Sequence, residues 1–577
     1  MNGAEIAARV IAAHKVDALF TLIGGHVSPI LVESKRRGIR VVDTRHEVNA
    51  VFAADAWARL RGVPGVAVVT AGPGVTNTIT AMRNALMAQS PVVLIGGATA
   101  TALRGRGSLQ DIDQIKLIKS NVKRAFRVNR LKQIAPTLTK AFAVAAGGVP
   151  GPVFVEIPVD LLYEEKIVRE WYAEAAPKGK SLVAKLTRSY LKFHVARLFG
   201  AAKSVTIPQP TENQPHFISD NLLSKIERAL AKAERPLVLA GSQVLRDARE
   251  ATRVRDALEH LGVPVYLSGM ARGLLGEKNP LQFKQKRKEA LRECDLVILL
   301  GVPADFRLNY GAHINRRAFQ INVNLDRHDL KKNKRPDIAA RVDAGTLLIK
   351  LREKGIRADA QRLIGWKNTL AEREKAREAE ITKSAQQKMK FINPVDFFLK
   401  AAPVLAKKTI LIADGGDFVA TGAYALRPGG PLTWLDPGVF GTLGVGAGFA
   451  LGAKVARPDY DVVILYGDGS AGYSIMEFDT FVRHKLPVGA IIGNDACWTQ
   501  IYRDQIEFLK DDVACMLNYS HYEEISKTFG GAGMTISKPA QIKTGLAALK
   551  KSLAKKQPFI LNVLIGRSEF RKGSISM

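Results

Sequence analysis

Short apolar runs that end in glycine, aspartate or another turn-forming residue recur along the chain, separated by helical patterns. They include Val66–Val69, Val92–Ile95, Val153–Ile157, Leu237–Ala240, Leu296–Leu300, Val462–Tyr466 and Val488–Ile492. Short β-rich runs that alternate with helices are typical of parallel sheets covered by helices on both faces. The expected fold class is therefore α/β, with doubly wound parallel sheets. Because such sheets bind ligands at the carboxyl ends of their strands, the residues that follow these runs are candidates for a functional site.

The length of 577 residues is too great for one hydrophobic core. At about 150 residues per domain it predicts about four domains, and three large ones are equally allowed. Two charged segments are typical of linkers. The first covers 176–214, in which Lys178 to Lys203 contains seven Lys or Arg and no acidic residue, and the second covers 351–390 and is helical without an apolar face from Ala371 on. We therefore expect domains at 1–175, 215–350 and 391–577.

The composition narrows the function classes. Lys and Arg number 85 against 54 acidic residues, which gives a formal charge of +31. Such a charge favours binding of a polyanionic small substrate or of an anionic membrane surface, or it only keeps the protein in solution. The basic residues are spread along the chain without a recognition motif, so no nucleic acid is expected. Three cysteines cannot build a disulfide framework. Without a membrane-spanning apolar run or a secretory signal in the sequence, we expect a cytoplasmic enzyme.

Two motifs at neighbouring strand ends predict a metal and diphosphate site. Gly467-Asp468-Gly469-Ser470 follows one predicted strand and Asn494-Asp495 ends the next, with Asp495 27 residues after Asp468. Carboxylate and amide oxygens suit a hard divalent cation, and glycine lets a diphosphate approach the main chain closely.

These motifs resemble those of thiamine diphosphate enzymes in the group of acetolactate synthases, 2-hydroxyacyl-CoA lyases and oxalyl-CoA decarboxylases. The resemblance extends over the chain through Arg45–Ala50, Thr70–Asn77, Pro150–Pro158 and Ile321–Asp326. It implies a pyrimidine-binding domain, a middle domain and a diphosphate-binding domain in that order. It also implies thiamine diphosphate and Mg²⁺, with ADP or FAD as candidate ligands of the middle domain. In this family each cofactor lies between the first domain of one subunit and the last of another, which implies a homodimer or homotetramer.

The resemblance also implies roles for individual residues. Glu47 would hydrogen-bond the pyrimidine ring of the cofactor and share a proton with it, while Gln110 and His26 would act on the substrate. The implied metal ligands are Asp468, Asn494 or Asp495, and a main-chain carbonyl near Cys497. The family usually has Asn-Asn where this chain has Asn494-Asp495, so which of the two ligates stays open. The other implied cofactor contacts are Gly25, Pro73, Asn77, Asp417, Gly441, Leu443, Gly467, Gly469 and Ser470.

Within the group, two activities compete. One is a lyase that cleaves a 2-hydroxyacyl-CoA to an aldehyde and formyl-CoA, or runs in reverse; the other is condensation of 2-oxoacids by an acetolactate synthase. Gly269–Gly276 and Arg307–Gly311 resemble the oxalyl-CoA decarboxylases and hydroxyacyl-CoA lyases, which favours the lyase. A non-catalytic scaffold is a remote alternative, since Glu47 and Asp468 are both present.

Two basic features extend the hypothesis of an acyl-CoA substrate. Arg272, Arg307, Arg567 and Arg571 are candidates for holding the phosphates of CoA. Lys178 to Lys203, read as a helix, places Leu182, Val183, Leu186, Tyr190 and Phe193 on one arc. This helix is either a linker packed on its own subunit or an interfacial helix in peripheral contact with an anionic membrane.

Overall fold

Three six-stranded sheets, parallel throughout, form the framework of the protein. A computed structural model describes residues 1–200, 205–210, 217–406 and 408–572. The sheets lie in the first, middle and last parts of the chain, and helices follow nearly every strand. The predicted α/β class with three doubly wound parallel sheets is confirmed.

The first sheet has the strand order β2-β1-β3-β4-β6-β5. Its strands are β1 (Ala18–Leu22), β2 (Arg40–Asp43), β3 (Gly65–Val69), β4 (Val92–Ala98), β5 (Arg124–Arg127) and β6 (Val153–Pro158). Its helices are α1 (Gly3–Ala13), α2 (Ser28–Arg36), α3 (Glu47–Arg61), α4 (Pro73–Thr76), α5 (Ile79–Met87), α6 (Gln114–Ile118), α7 (Ile134–Ala146), α8 (Glu165–Ala175) and α9 (Leu182–Phe199). The strand β2 lies on one side of β1, and the later strands lie on the other side, beginning with β3. The switch point between β1 and β3 opens a crevice for ligands.

The middle sheet has a different order, β12-β11-β10-β7-β8-β9. Its strands are β7 (Pro236–Ala240), β8 (Val265–Leu267), β9 (Gln282–Phe283), β10 (Leu296–Leu300), β11 (Phe319–Val323) and β12 (Ile338–Ala340). Its helices are α10 (Asp220–Lys232), α11 (Ala251–Leu261), α12 (Arg287–Glu293), α13 (Arg327–Leu330), α14 (Ala344–Glu353) and α15 (Ile364–Ala385). Counted along its own strands, this order is 3-2-1-4-5-6, the arrangement of dinucleotide-binding sheets.

The third sheet has the order β14-β13-β15-β16-β18-β17, which repeats the order of the first sheet. Its strands are β13 (Thr409–Ala413), β14 (Trp434–Leu435), β15 (Asp461–Gly467), β16 (Val488–Asn494), β17 (Ala532–Ile536) and β18 (Phe559–Leu564). Its helices are α16 (Pro394–Leu405), α17 (Asp417–Ala425), α18 (Val445–Ala456), α19 (Asp468–Ala471), α20 (Glu477–Arg483), α21 (Thr499–Leu509), α22 (Tyr522–Thr528) and α23 (Ile542–Ala554). Its switch point lies between β13 and β15.

The chain forms two compact units. The first contains the first sheet with its helices and residues 438–442, and the second contains the middle and third sheets. Each sheet has an inner strand that is buried along its whole length: β3, β7 and β13. Helices cover both faces of such strands, which explains why their sequences read as unbroken apolar runs.

Both predicted linker segments contain packed helices. From Ala371 on, the helix of the second segment, α15, buries two side chains, Glu374 and Ile381. This helix begins at Ile364 and also buries Trp366, whose indole nitrogen donates a 3.1 Å hydrogen bond to the carbonyl of Pro236. Within the described residues no helix is long and apolar enough to cross a membrane.

Candidate active site

The loop after β3 in the first unit surrounds the carboxylate of Glu47. Glu47 begins α3 and is only 6% exposed. Asn77 donates a 2.9 Å hydrogen bond from Nδ2 to Oε2 of Glu47. A Cβ built on Gly74 would lie 3.7 Å from Oε1 of the same carboxylate. Three parts of the predicted site therefore meet: Glu47, Asn77 and the Gly-Pro-Gly loop that contains Pro73.

His26 and Gln110 flank the same loop. His26 follows β1, and its Nδ1 lies 3.1 Å from Oγ1 of Thr70, the first residue of the loop. Partial burial lowers the pKa of His26, which favours the neutral imidazole at neutral pH. Gln110 has a positive φ of 63°, and a Cβ on Gly72 would lie 2.9 Å from the Cβ of Gln110. The main chain at Gly25 is open, with no atom within 4 Å of a built Cβ.

Gln114, which the sequence analysis did not single out, supports this loop from behind. It is buried at the start of α6. Its Oε1 accepts a 2.9 Å hydrogen bond from the amide of Gly72, and its Nε2 donates to the carbonyl of Gly97 and to Oε2 of Glu156. Buried polar groups need such partners. In the sequence Gln114 stands between Asp113 and Ile115, in a segment with other polar residues, so nothing there marks it as buried.

In the second unit, two turns meet at the switch point of the third sheet. The amide of Gly467 and the hydroxyl of Ser470 each donate a 3.2 Å hydrogen bond to the carbonyl of Gly415. Asp417, at the start of α17, pairs with Arg503 at 3.1 Å. Burial raises the pKa of Asp417, and Arg503 counteracts the rise. A Cβ on Gly469 would lie 2.5 Å from the Trp498 ring, so packing requires glycine there.

Asp468 and Asp495 form a buried pair of carboxylates beside these turns. They are 4% and 6% exposed. Burial, with the nearby charge of Asp495, raises the pKa of Asp468 to about 7, and burial raises that of Asp495 to about 6. Among the described residues neither forms an ion pair with a lysine or arginine, and no cluster of three or more His, Cys, Asp or Glu side chains suits a metal. The charge of Arg567 acts on Asp495 without forming an ion pair. A divalent cation would offset the charge of the pair further, with amide or main-chain oxygens completing its ligands.

Asn494 and Cys497 are engaged in other contacts. The Nδ2 of Asn494 donates to the carbonyl of Ser520 at 3.2 Å and to Asn562 at 3.3 Å, and its Oδ1 accepts from the amide of Ala496. The amide of Cys497 donates a 3.3 Å hydrogen bond to Oδ2 of Asp468. Burial raises the pKa of the Cys497 thiol, which keeps the thiol protonated.

Leu443 lies against the Gly415 turn, where a Cβ on Gly415 would overlap its Cδ2. The segment after Leu443 is held by Asp414, a buried carboxylate that accepts hydrogen bonds from the amides of Gly444 at 2.9 Å and Gly446 at 2.7 Å. Gly441 has a φ of +66°, with no atom within 4 Å of a built Cβ. Asp414 is a second polar residue that the sequence analysis missed.

The first and third sheets carry their candidate residues after equivalent strands. In the first sheet, strands one to four are followed by Gly25-His26, Glu47, the Thr70–Asn77 loop and Gln110. In the third sheet, the corresponding strands are followed by Gly415–Asp417, Gly441–Leu443, Gly467–Ser470 and Asn494–Cys497. Carboxyl ends of parallel strands meet at one edge of a sheet, so each sheet presents its candidate residues together.

Basic side chains of the middle domain gather beyond the ends of β8, β9 and β10. The hydrogen bonds of Arg272, Lys284 and Arg287 go to main-chain carbonyls: Arg272 donates to Ala423 at 3.1 Å, Lys284 to Leu426 at 2.5 Å and Arg287 to Arg307 at 3.0 Å. Burial lowers the pKa of each of the three, and the charge of Arg272 further lowers those of Lys284 and Arg287. We call Arg272, Lys284, Arg287 and Arg307 the basic cluster.

Arg571 is next to this cluster, whereas Arg567 is elsewhere. The charge of Arg571 contributes to the lowered pKa of Arg272, and its guanidinium carbon lies 4.6 Å above the Tyr424 ring. Arg307 is paired with Asp305 at 2.8 Å. Arg567 lies 5.0 Å above the Tyr502 ring and donates to the sulfur of Met516. Three of the four predicted CoA residues are therefore close together, and the sequence analysis missed Lys284 and Arg287.

Comparison with protein families finds matches in all three parts of the chain. Residues 1–117 match the N-terminal TPP binding domain of thiamine pyrophosphate enzymes, residues 223–351 match their central domain, and residues 414–563 match their C-terminal TPP binding domain. Thiamine pyrophosphate is thiamine diphosphate, so these matches support the predicted cofactor.

Full-length relatives are also found. The chain is 47% identical to 2-hydroxyacyl-CoA lyase 2 of Danio rerio, over 100% of this chain and 93% of that protein. It is 46% identical to 2-hydroxyacyl-CoA lyase 2 of Homo sapiens, over 100% of this chain and 92% of that protein. A probable acetolactate synthase of Mycobacterium bovis is more distant, at 32% identity over 98% of this chain and 96% of that protein.

Proposed function

Because the chain belongs to the thiamine pyrophosphate enzyme family, we propose that it is a carbon–carbon lyase that cleaves a 2-hydroxyacyl-CoA to an aldehyde and formyl-CoA. Its full-length relatives named 2-hydroxyacyl-CoA lyase 2 are 46% to 47% identical, against 32% for the acetolactate synthase relative. The structural observation that carries the proposal is the basic cluster of the middle domain. A 2-oxoacid carries a single carboxylate, whereas CoA carries several phosphate charges, so a cluster of four cations suits CoA better.

CoA carries several phosphate charges, and the basic cluster has more cations than nearby carboxylates. Arg307 pairs with Asp305, and the charges of Glu374 and Glu378 only partly offset the lowered pKa of Lys284. Arg272, Lys284 and Arg287 have only carbonyl oxygens as hydrogen-bond partners, and their charges repel one another. Phosphate oxygens would relieve that repulsion and accept charge-assisted hydrogen bonds. Arg307 and Arg571 stand beside them as further phosphate ligands. We assign Arg567 no part in CoA binding, because it lies against Tyr502.

Glu47 is the residue that moves a proton in the proposed reaction. Thiamine diphosphate, when bound, supplies a carbon nucleophile and an electron sink. Asn77 fixes one oxygen of the buried Glu47 carboxylate, which leaves Oε1 to exchange a proton with the pyrimidine ring. Burial of the carboxylate keeps water away from this exchange.

His26 and Gln110 are proposed to act on the substrate. The Nδ1 of His26 is held by Thr70, which leaves Nε2 to accept the proton of the 2-hydroxyl group and later to return it. The side-chain amide of Gln110 would donate a hydrogen bond to a developing oxyanion. Both residues flank the loop that holds Glu47 and Asn77, so these roles fall within one region of the first unit.

The buried carboxylate pair is the proposed Mg²⁺ site. Asp468, Asp495 and a main-chain carbonyl near Cys497 would hold the cation, which would in turn bind the diphosphate. We choose Asp495 over Asn494 because it offers a charged carboxylate of which, within the described residues, only Oδ2 is engaged, by Thr499 at 2.5 Å. Both polar atoms of the Asn494 side chain are engaged, with Ser520, Asn562 and Ala496. The remaining proposed cofactor contacts are Gly25, Pro73, Asp417, Gly441, Leu443, Gly467, Gly469 and Ser470.

We propose that the enzyme works as a homodimer or homotetramer in which two subunits complete each site, as the family resemblance implies. The middle sheet supports a second ligand, since its strand order is that of dinucleotide-binding sheets. ADP and FAD remain the candidates. ADP is also part of CoA, so competition between the two would show whether they share the basic cluster.

The test is direct product analysis. The purified enzyme is incubated with thiamine diphosphate, Mg²⁺ and 2-hydroxyacyl-CoAs of several chain lengths, and separately with pyruvate. Formyl-CoA and the matching aldehyde are expected from the first set. Acetolactate from pyruvate without formyl-CoA from any acyl-CoA would overturn the proposal in favour of an acetolactate synthase.

Matched variants test the part assigned to the basic cluster. Arg287→Gln and Arg272→Gln should each raise the KM for acyl-CoA at least tenfold, as expected for loss of a charge-assisted hydrogen bond, with a smaller effect on kcat. Lys225→Gln removes one exposed charge from α10 of the same domain and should leave KM unchanged. Equal KM values for all of them would place the phosphates elsewhere.

A further inference from the structure

Helix α9 presents two unlike faces. It begins after Ser181, whose hydroxyl accepts the amide of Ala184, and runs from Leu182 to Phe199. The face that packs on the first unit is formed by the buried residues Ala184, Val195, Leu198 and Phe199. The apolar stripe predicted from the sequence is a different one. The helix thus packs on its own subunit, as the linker hypothesis expects, but through a face other than this stripe, which is left exposed.

A buried polar network fixes the orientation of α9. Thr101 Oγ1 lies 2.7 Å from Nε2 of His194 on α9 and 2.5 Å from Oδ2 of Asp160. Tyr172 donates a 2.7 Å hydrogen bond to the same Asp160 oxygen. Such a network specifies one geometry, because rotating the helix would leave buried polar groups without partners. The network therefore holds α9 in one orientation, in which its opposite face points away from the first unit.

The outward face is apolar and exposed. Leu182 is 73% exposed, Val183 71%, Leu186 61%, Tyr190 54% and Phe193 67%. At 100° per residue these five side chains fall within a single arc of about 100°. A contiguous apolar patch of this kind on a charged protein marks an interaction surface.

Lys185 and Lys192 border this stripe, whereas Arg197 interrupts its arc one turn beyond Phe193. No acidic residue lies between Lys178 and Lys203. Lys185 and Lys192 are exposed along one edge, and Arg197 is exposed in the last turn. None of the three pairs with a carboxylate in the part of the chain that the structure describes. Arg188 is different, because it donates to the carbonyls of Pro177 and Gly179. Lys203 lies outside the described residues.

We propose that the outward face of α9 binds the surface of an anionic lipid bilayer. The stripe from Leu182 to Phe193 enters the headgroup region, and Lys185, Lys192 and Arg197 contact the anionic headgroups. An exposed apolar stripe bordered by cations is the pattern of helices that lie in a membrane interface. This inference is independent of the proposed function, since it involves none of the residues assigned to the cofactor or to CoA.

A second copy of the chain would fit the outward face of α9 less well than a lipid surface. A twofold contact through this face would place the same patch on both partners. Lys185 and Lys192 of the two copies would then approach each other without any acidic residue between Lys178 and Lys203 to offset them. An anionic bilayer offers negative charge at its headgroups and apolar contact where the acyl chains begin. The lipid surface is therefore preferred.

The experiment is sedimentation of the holoenzyme with phosphatidylcholine vesicles, with and without phosphatidylserine, at low and high salt. Binding should require phosphatidylserine and should weaken in high salt, which screens surface charges. Replacing Lys185, Lys192 and Arg197 together with Gln should weaken binding on the order of 100-fold, at about fivefold per cation. The double substitution Leu186→Ser and Phe193→Ser should also weaken binding, while turnover of soluble substrate and oligomeric state stay unchanged.

A matched control removes as much charge from another helix. Lys543, Lys551 and Lys555 are exposed on or just after α23, and their joint change to Gln lowers the net charge equally. This control should bind vesicles like the parent enzyme. Three results would each overturn the proposal: no preference for phosphatidylserine, equal weakening by the control, or dissociation of the oligomer by Leu186→Ser and Phe193→Ser with vesicle binding intact.

Discussion

Asn77 and Glu47, 30 residues apart in the chain, meet through a 2.9 Å hydrogen bond between the Asn77 amide and Oε2 of the Glu47 carboxylate. Glu47 begins a helix after β2 and Asn77 follows the short helix after β3, so the two come together only because their strands end at the same edge. The amide donates to the carboxylate and cannot neutralise it. Glu47 therefore keeps a proton-accepting oxygen in a site that is almost dry.

Glu47→Gln should lower turnover on the order of 100-fold or more, because the variant keeps its size but loses the titratable proton. Cofactor retention should survive better than activity. Single-turnover kinetics and a fluorescence titration with thiamine diphosphate measure the two separately. Asn77→Ala should cost less, since it removes only the orienting hydrogen bond. A Glu47→Gln enzyme with near-normal turnover would remove Glu47 from the mechanism.

Asp468→Ala should abolish Mg²⁺-dependent retention of thiamine diphosphate, because the diphosphate then lacks its bridging cation. Asp495→Asn should be mild, since an amide oxygen also ligates Mg²⁺. Gel filtration followed by cofactor analysis, with and without a chelator, checks both. Asn494→Ala serves as the comparison and should disturb folding more than metal binding. Loss of binding in Asp495→Asn, with a silent Asn494→Ala, would show that the carboxylate itself is required.

Removing Phe570 to Met577 should raise the KM for acyl-CoA more than it changes thermal stability. Phe570 lies against Tyr424 at 6.1 Å, and Arg571 lies over the same ring beside the basic cluster. Residues 573–577 are outside the described part of the chain. Arg571→Gln, which keeps the tail, should show part of the same KM effect. An unchanged KM after deletion would show that the tail takes no part in binding CoA.

Gln114→Leu should destabilise the first unit by about 3 kcal/mol, because it removes three buried hydrogen bonds, to Gly72, Gly97 and Glu156. Glu156 keeps its ion pair with Arg127. The melting temperature and the KM for thiamine diphosphate should both change, since Gly72 begins the Gly-Pro-Gly loop. Gln386→Leu, at an exposed position after α15, provides the matched control. An unaltered melting temperature in Gln114→Leu would show that this loop needs no support.

Asp414 should make stability depend on pH. Burial raises its pKa to about 7, so the folded protein holds a proton that the unfolded chain releases near pH 4. Its contribution is therefore largest at low pH and is lost as the pH rises from about 4 to 7. Asp414→Asn should shrink the difference in melting temperature between pH 5 and pH 8. Asp459→Asn, at an exposed ion pair, should leave that difference as it is.

The sequence predicted the three parallel sheets and most strand ends of the candidate site, because buried parallel strands produce unbroken apolar runs that end in glycine or a carboxylate. Asp468 was visible for the same reason. Glu47 was identified through the family resemblance, since alone it could be an ordinary glutamate at the start of a helix. Strand order was not predictable, since apolar runs do not show which strand pairs with which. The shared order of the first and third sheets therefore had no signal in a chain without a sequence repeat.

The residues that were missed share a physical cause. Gln114 and Asp414 are single polar residues that satisfy main-chain groups, and Lys284 and Arg287 look like ordinary surface charges in the sequence. Only the folded chain shows what each one contacts. For α9 the sequence predicted the apolar stripe correctly, but the burial of Val195 and Leu198 decided which face packs.

The first and third sheets place their candidate residues after the same four strands, although the two segments share no sequence repeat. Duplication of one ancestral gene segment leaves such a relationship once its copies have diverged. An ancestor that paired with itself would have offered identical residues from both sides, and specialisation would then have given Glu47 to one copy and Asp468 to the other. The first and third sheets have the same strand order but different residues after equivalent strands. Natural variation should therefore change the polar residue at a strand end far more often than the order of the strands.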